Sequence, residues 1–362
     1  MKFVFFVQGE GRGHMTQALS LKTIIEKRGH TLEKVFVGIS SSRKIPDYFV
    51  NKIEAEIIQI KSPNFISDKK RKSIKIFPSI IFNLFKMPDF IGSMNLINKE
   101  IKKIKPDVII NFYEPLFGLC NWFYGNKIPV VCIAHQYIYH HKDFVFPERF
   151  ETEKKMLKVF ASLTALRAKK KLALSFYPLK NKNDKLIVIP PFLREEVLNL
   201  KISKEDFLLV YLLNEGYVED IIKWHDKNKN IKLHCFSDWK EIKNDEFVYD
   251  ETLCFHKLND VKLLDLLSRC KGLVTTAGFD IICETMYLGK PAFMVPVENQ
   301  FEQFCNSIDA HRANAGICDN KFDISKFIKF INSYKNNNSE YRQWVEGSID
   351  IVMREIESVF TD

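Results

Sequence analysis

Apolar runs and stretches of helical spacing alternate along most of the chain. Phe3–Val7 reads as a strand, Thr16–Lys27 as a helix, Lys34–Ile39 as a second strand, and Val108–Phe112 and Val130–Ala134 as later strands of one set. This alternation predicts an α/β domain built on a doubly wound parallel sheet. The pattern restarts after Pro190–Pro191, with strands over Phe207–Leu212, Lys232–Phe236, Gly272–Thr275 and Ala292–Val295. Two such domains are therefore expected, over residues 1–192 and 193–340. The tail, 341–362, carries Val345, Ile349, Val352, Ile356 and Phe360 at helical spacing and is expected to pack back across the domain junction.

A chain of 362 residues, 46% of them hydrophobic, can fill two cores. The formal charge of +9 favours an anionic partner, whether a phosphorylated small molecule, nucleic acid or an acidic membrane surface. Eight cysteines stand singly with no Cys-x-x-Cys pair, which predicts buried reduced thiols in a cytoplasmic protein and neither a disulfide frame nor a zinc site. Phe3–Val7 is too short for the core of a signal peptide, and no stretch is long enough to span a bilayer. Lys169–Lys171 reads as solvated surface, and without a base-stacking aromatic motif beside it nucleic acid is not an expected partner.

Two segments carry the candidate chemistry. In GEGRGHMTQALSL, positions 9–21, Gly9, Gly11 and Gly13 allow a tight strand-to-helix turn around Arg12. A dinucleotide fingerprint would need glycine where His14 stands and an acid near Ile39–Ser40, so NAD binding is disfavoured. His14 falls at a helix start, where the positive helix end helps to keep an imidazole neutral as a base; a ring that merely bonds a carbonyl is the plainer reading. In the second segment, Thr276, Ala277, Gly278 and Phe279 turn from a strand into a helix whose free amides suit a diphosphate. Glu284 follows in an otherwise apolar helix and therefore needs a partner, for which vicinal ribose hydroxyls are suited. Glu302 and Gln303, side by side at the next helix start, can read several sugar hydroxyls.

The motif GH-x-T-x-A-L-S-L with KRGH, together with AGFDIICETMYLGKPAFMVPVENQFEQFCN, resembles the GT-B fold glycosyltransferases, close to the bacterial MurG-like, family 28-type branch. The resemblance spans both halves in order and implies two Rossmann-like domains facing a cleft, the first binding acceptor and the second a nucleotide-sugar donor. It implies that Gly278 and the neighbouring backbone hold the donor diphosphate, Glu284 the ribose, Glu302 and Gln303 the transferred sugar, and Leu258 the base. Asn214, Glu215 and Gly216 match the first phosphate-side loop, although a glycine pair is lacking. On the acceptor side the resemblance implies that His14 faces the reactive carbon and that His135 and Gln136 in CIAHQY line the cleft, without the acid that MurG-like enzymes carry between them. Thr276 stands where retaining members carry Glu, which implies inversion.

The expected activity is thus an inverting, metal-independent transfer from a nucleotide-diphosphate sugar, a UDP-sugar, to a saccharide or lipid-linked hydroxyl acceptor of the cell envelope, with no cofactor beyond the donor. No Asp-x-Asp triplet argues for a metal. The rivals are a nucleotide-sugar 2-epimerase of the same architecture and a non-catalytic, membrane-docked subunit that holds nucleotide-sugar. Residues 69–91, where a Lys-Lys-Arg-Lys run meets a short apolar segment, suit peripheral contact with an anionic membrane at the inner face, against the plainer reading of a core helix with a solvated basic end.

Overall fold

The computed structural model describes every residue except 41–43, 64–65, 68–73, 76–82, 84–85, 149, 182, 213–214, 299, 336–337 and 361–362. In chain order the strands of the first half are β1 Lys2–Gln8, β2 Thr31–Ile39, β3 Glu56–Lys61, β4 Ile66–Ser67, β5 Ile74–Lys75, β6 Val108–Phe112, β7 Val130–Ala134, β8 Lys170–Leu174 and β9 Leu186–Ile189. Apart from the small β4–β5 pair they form one parallel sheet in the order β3-β2-β1-β6-β7-β8-β9. Phe3 to Val7 of β1 are fully buried because helices cover both faces, which is why the central strands read as unbroken apolar runs.

The second half repeats the design with β10 Leu208–Tyr211, β11 Leu233–Phe236, β12 Glu246–Val248, β13 Leu253–His256, β14 Leu273–Thr275, β15 Ala292–Met294 and β16 Gly316–Cys318. Their order is β12-β13-β11-β10-β14-β15-β16, and only the β12–β13 edge hairpin is antiparallel. In each sheet the direction of winding reverses beside the first strand, between β1 and β6 and between β10 and β14. Ligands of open α/β sheets sit in the crevice beyond the carboxyl ends of the strands at such points. The segments 9–13 and 276–278 follow β1 and β14, so both motifs lie at switch points.

Two expectations are corrected. Lys170 is not solvated surface: it is buried in β8, and its Nζ donates to Glu355 at 2.8 Å and to Ser358 at 2.6 Å. The tail breaks at Gly347 into helices Asn338–Glu346 and Ser348–Glu357, which rotates the pattern. Val345, Val352, Met353, Ile356 and Val359 are buried, whereas Ile349 and Phe360 are exposed. These helices touch both halves: Trp344 Nε1 donates to the Ser175 carbonyl at 3.3 Å, Arg28 pairs with Asp350 at 2.5 Å, and Arg342 donates to the Tyr287 carbonyl at 3.0 Å. No helix among the described residues is long and apolar enough to cross a membrane.

Candidate active site

Helix Gly13–Lys27 starts straight after the β1 loop, and no side chain caps it. His14, in its first turn, is buried, and its ring stacks on Tyr113 with centroids 5.4 Å apart. Burial lowers its pKa to about 4, so the ring is neutral at physiological pH. Gly11, ahead of the helix, has open space around it.

Across the cleft, the chain leaves β14 through half-buried Thr276 and enters helix Phe279–Tyr287, which also starts without a side-chain cap. The residue with a left-handed backbone in this turn is Ala277, at φ 65°, and its carbonyl accepts from Asn306 Nδ2 at 3.1 Å. Such a conformation is strained for a residue with a Cβ and is held here by its surroundings. Gly278 has an ordinary backbone, and a Cβ there would meet only Ile281 at 3.7 Å. The fold does not require glycine at 278; its absent side chain leaves the first amides of the helix open.

The two helix starts meet. A Cβ on Gly13 would lie 2.3 Å from Asp280 Oδ2, and Gln17 Nε2 donates to Asp280 Oδ1 at 3.1 Å. Burial raises the Asp280 pKa to about 6. Arg12 pairs with Asp260 at 3.2 Å, and the rings of His135 and Phe279 stack with centroids 4.0 Å apart. His135 is neutral, its pKa lowered to about 4 by burial, and its Nδ1 bonds the Leu174 carbonyl at 2.7 Å. Gln136 Nε2 donates to Glu302 Oε1 at 2.8 Å, and burial raises the Glu302 pKa. Gln303 Oε1 accepts from the Val297 amide at 2.9 Å and so pins the loop ahead of its own helix.

Glu284 is buried and gripped by Arg194, which donates from Nε at 2.7 Å and from Nη2 at 2.8 Å. The bidentate pair solves the problem of a carboxylate in an apolar helix. Each carboxylate oxygen keeps a second lone-pair direction for a further donor. Leu258 packs half-buried against the core, Glu215 is exposed and Gly216 half-buried beyond β10, and Asn214 lies outside the described residues. Buried polar atoms without a well-formed hydrogen bond among the described residues gather at this cleft: Tyr113 Oη, Gln136 Oε1, and the neighbouring pairs His14 Nδ1 with Gln17 Oε1 and His135 Nε2 with Asn306 Oδ1, which interact only loosely. Folded proteins leave few such atoms unmet, and a group of them marks a place for ligand or water.

The sequence model described as glycosyl transferase family 1 matches residues 1–334. The chain belongs to this family. It is a glycosyltransferase of the GT-B fold, as its structural likenesses also show. A glycotransferase of kitacinnamycin superposes with a TM-score of 0.65 at 14% identity, over 98% of this chain and 99% of that one. Arabidopsis thaliana UGT89C1, solved with UDP-L-rhamnose, gives 0.62 at 13% identity over 99% and 97%. Acinetobacter baumannii MurG gives 0.59 at 12% identity over 99% and 100%. No curated protein matches significantly by sequence.

Two polar residues of the glycosyltransferase cleft escape a reading by motif. Arg194 belongs to the connection between the halves, 90 residues before its partner Glu284. Asp280 reads as one polar residue opening an apolar helix, and only the fold brings it against Gly13. The unpaired acid demanded at 284 was the signal that could have pointed to Arg194. Glu114 is a further buried carboxylate, just past the carboxyl end of central strand β6, accepting from Ser62 Oγ at 2.5 Å, with its pKa raised by burial to about 7.

Proposed function

We propose that this glycosyltransferase inverts configuration as it moves a sugar from a nucleotide-diphosphate donor, a UDP-sugar, to a hydroxyl acceptor. The donor diphosphate lies against the open amides of helix Phe279–Tyr287, with Arg194 as the nearby cation. The ribose uses the lone pairs of Glu284 that Arg194 leaves, and the base lies toward Leu258 and the 214–216 loop. The sugar points toward Glu302 and Gln303. His14 accepts the acceptor proton while the acceptor oxygen bonds to the anomeric carbon; the bond from that carbon to the donor phosphate oxygen breaks, and the electron pair leaves with the diphosphate. The growing charge meets amides and a guanidinium, so the transfer step needs no divalent ion for it. The observation that carries this reading is the meeting of two uncapped helix starts, one bearing neutral His14, over a group of unmet buried polar atoms.

His14→Ala should abolish most transfer, a loss on the order of 10²–10⁴-fold, while UDP still binds in calorimetry. Glu284→Gln should weaken UDP binding instead. Equal loss of binding in both variants would contradict the division of labour.

The acceptor is lipid-linked or part of an envelope glycan, and the enzyme works in the cytoplasm with peripheral contact to the anionic membrane face. Most of the segment 69–91 lies outside the described residues. Support comes from exposed Met87 and Ile91 on helix Met87–Ile104 and exposed Trp122 and Phe123 on the adjoining helix Pro115–Tyr124. Cosedimentation with phosphatidylglycerol vesicles should fall in the Trp122→Ala/Phe123→Ala variant, and unchanged partition would remove this surface from the account.

A further inference from the structure

Far from the donor turn, one edge of the second sheet gathers a set of nitrogen, sulfur and oxygen ligands. His234 of β11 is in register with Cys254 of β13, His256 lies two residues further along β13, and Glu246 of β12 is opposite His256. Successive strand residues point to opposite faces, so these four share one face while Phe255, between them, is buried in the core on the other. The side chains meet there. His234 Nδ1 and His256 Nε2 are 2.9 Å apart, Cys254 Sγ is 3.8 Å from His256 Nδ1, and Glu246 Oε2 is 3.5 Å from that same nitrogen. One ligand atom from each of His234, Cys254 and His256 can be chosen so that all lie within 4.8 Å of one another. A cleft of ≈ 400 Å³ opens beside them and gives an ion a way in.

We propose that His234, Cys254, His256 and Glu246 bind a zinc-class divalent ion that fastens the β11–β13 edge of the second sheet. Thiolate with two imidazoles selects zinc over magnesium or calcium, which take oxygen ligands, and the carboxylate completes a four-coordinate set. Thiolate and carboxylate together balance the two positive charges. Binding releases the Cys254 thiol proton to solvent and replaces the hydrogen bond between the two histidines with metal bonds after a small ring rotation. Lys262 Nζ, 2.6 Å from Glu246 Oε2, holds that carboxylate beside the cluster as an outer partner, and ligation exchanges this contact for the ion. The sequence carries no zinc signature because the ligands come singly from three strands. The ion is remote from bond making and distinct from the transfer step; His256 lies just before Leu258, so the fastening also steadies the loop that starts helix Asp260–Arg269.

The test uses the untagged full chain after chelator treatment, with Co²⁺ as the spectroscopic probe and Zn²⁺ in calorimetry and thermal melts. Stoichiometric binding, a thiolate-to-cobalt charge-transfer band and a higher Tm with zinc are expected. Cys254→Ser should lose the band, and His234→Gln should weaken zinc binding by more than about tenfold. Both positions are half-buried, so circular dichroism and the metal-free Tm should match those of the parent chain. Absence of the band, its survival in Cys254→Ser, or equal zinc affinity in the folded variants would overturn the proposal. His256→Ala, at a buried position, serves as a third variant, and retained stoichiometric binding there would count against it as well.

Discussion

In the proposed reaction His14 can act as a base only while its ring is neutral, and burial secures that. Its pKa falls from 6.5 to about 4 on folding. The acid limb that His14 imposes on kcat/KM should therefore lie near pH 4. Asp280, at about 6 in the same cleft, can add a limb of its own, so a limb near 6.5 that persists in Asp280→Asn would mean that an unburied histidine governs the reaction. The same shift affects stability. Above pH 6.5 neither state holds the proton; between 6.5 and about 4 the unfolded chain takes it up and the folded chain does not, so stability is lost as pH falls. At pH 5 this amounts to about 2 kcal/mol, and His14→Gln should melt with a correspondingly weaker loss between pH 7 and pH 5. His14 was legible in the sequence because glycines surround it. Ala277 was anticipated in the donor turn, but its left-handed backbone, with its carbonyl held by Asn306, was not, since it has no local signature. Gln303, expected to face the sugar, commits its carbonyl oxygen to the Val297 amide and keeps only its amide hydrogens for a ligand.

At the scale of elements, helix Phe279–Tyr287 is the pivot of the site, since its start faces His14 and its interior is tied to the interdomain connection through Arg194 and Glu284. Removing one partner of a buried ion pair leaves the other charge unmet. Arg194→Ala should therefore destabilise the protein by about 3–5 kcal/mol, and adding Glu284→Gln should recover part of that. Urea unfolding of the two single variants and the double variant reads the coupling, and strict additivity would show that the pair is incidental. The strands anticipated from the sequence were β1, β2, β6 and β7 of the first sheet and β10, β11, β14 and β15 of the second, each marked by a buried apolar run. Missed were β3, β9 and β16 at the sheet edges, the small β4–β5 pair, the short β12 and β13, and β8, whose opening lysines resemble surface. Lys170 is tolerated there because Glu355 and Ser358 reach it from a helix far along the chain, a contact no local pattern reveals.

Over the whole molecule, two sheets wound alike place their switch points opposite each other, and the C-terminal helices touch both halves. The GT-B architecture was legible because each sheet repeats the same alternation and each switch-point loop carries its own motif. How the halves close was not, because Gly13 against Asp280, Arg12 against Asp260, Gln136 against Glu302 and His135 against Phe279 are contacts between segments that no spacing rule connects. These contacts make the cleft a site shared by both halves, and in the proposed reaction a donor held by one half meets a base supplied by the other. The most direct test is a crystal structure of the chain with UDP. The account predicts the diphosphate on the backbone amides at 278–280 and the ribose hydroxyls on Glu284, with the terminal phosphate directed toward His14. UDP bound elsewhere, or bound in the cleft with its ribose remote from Glu284, would contradict it.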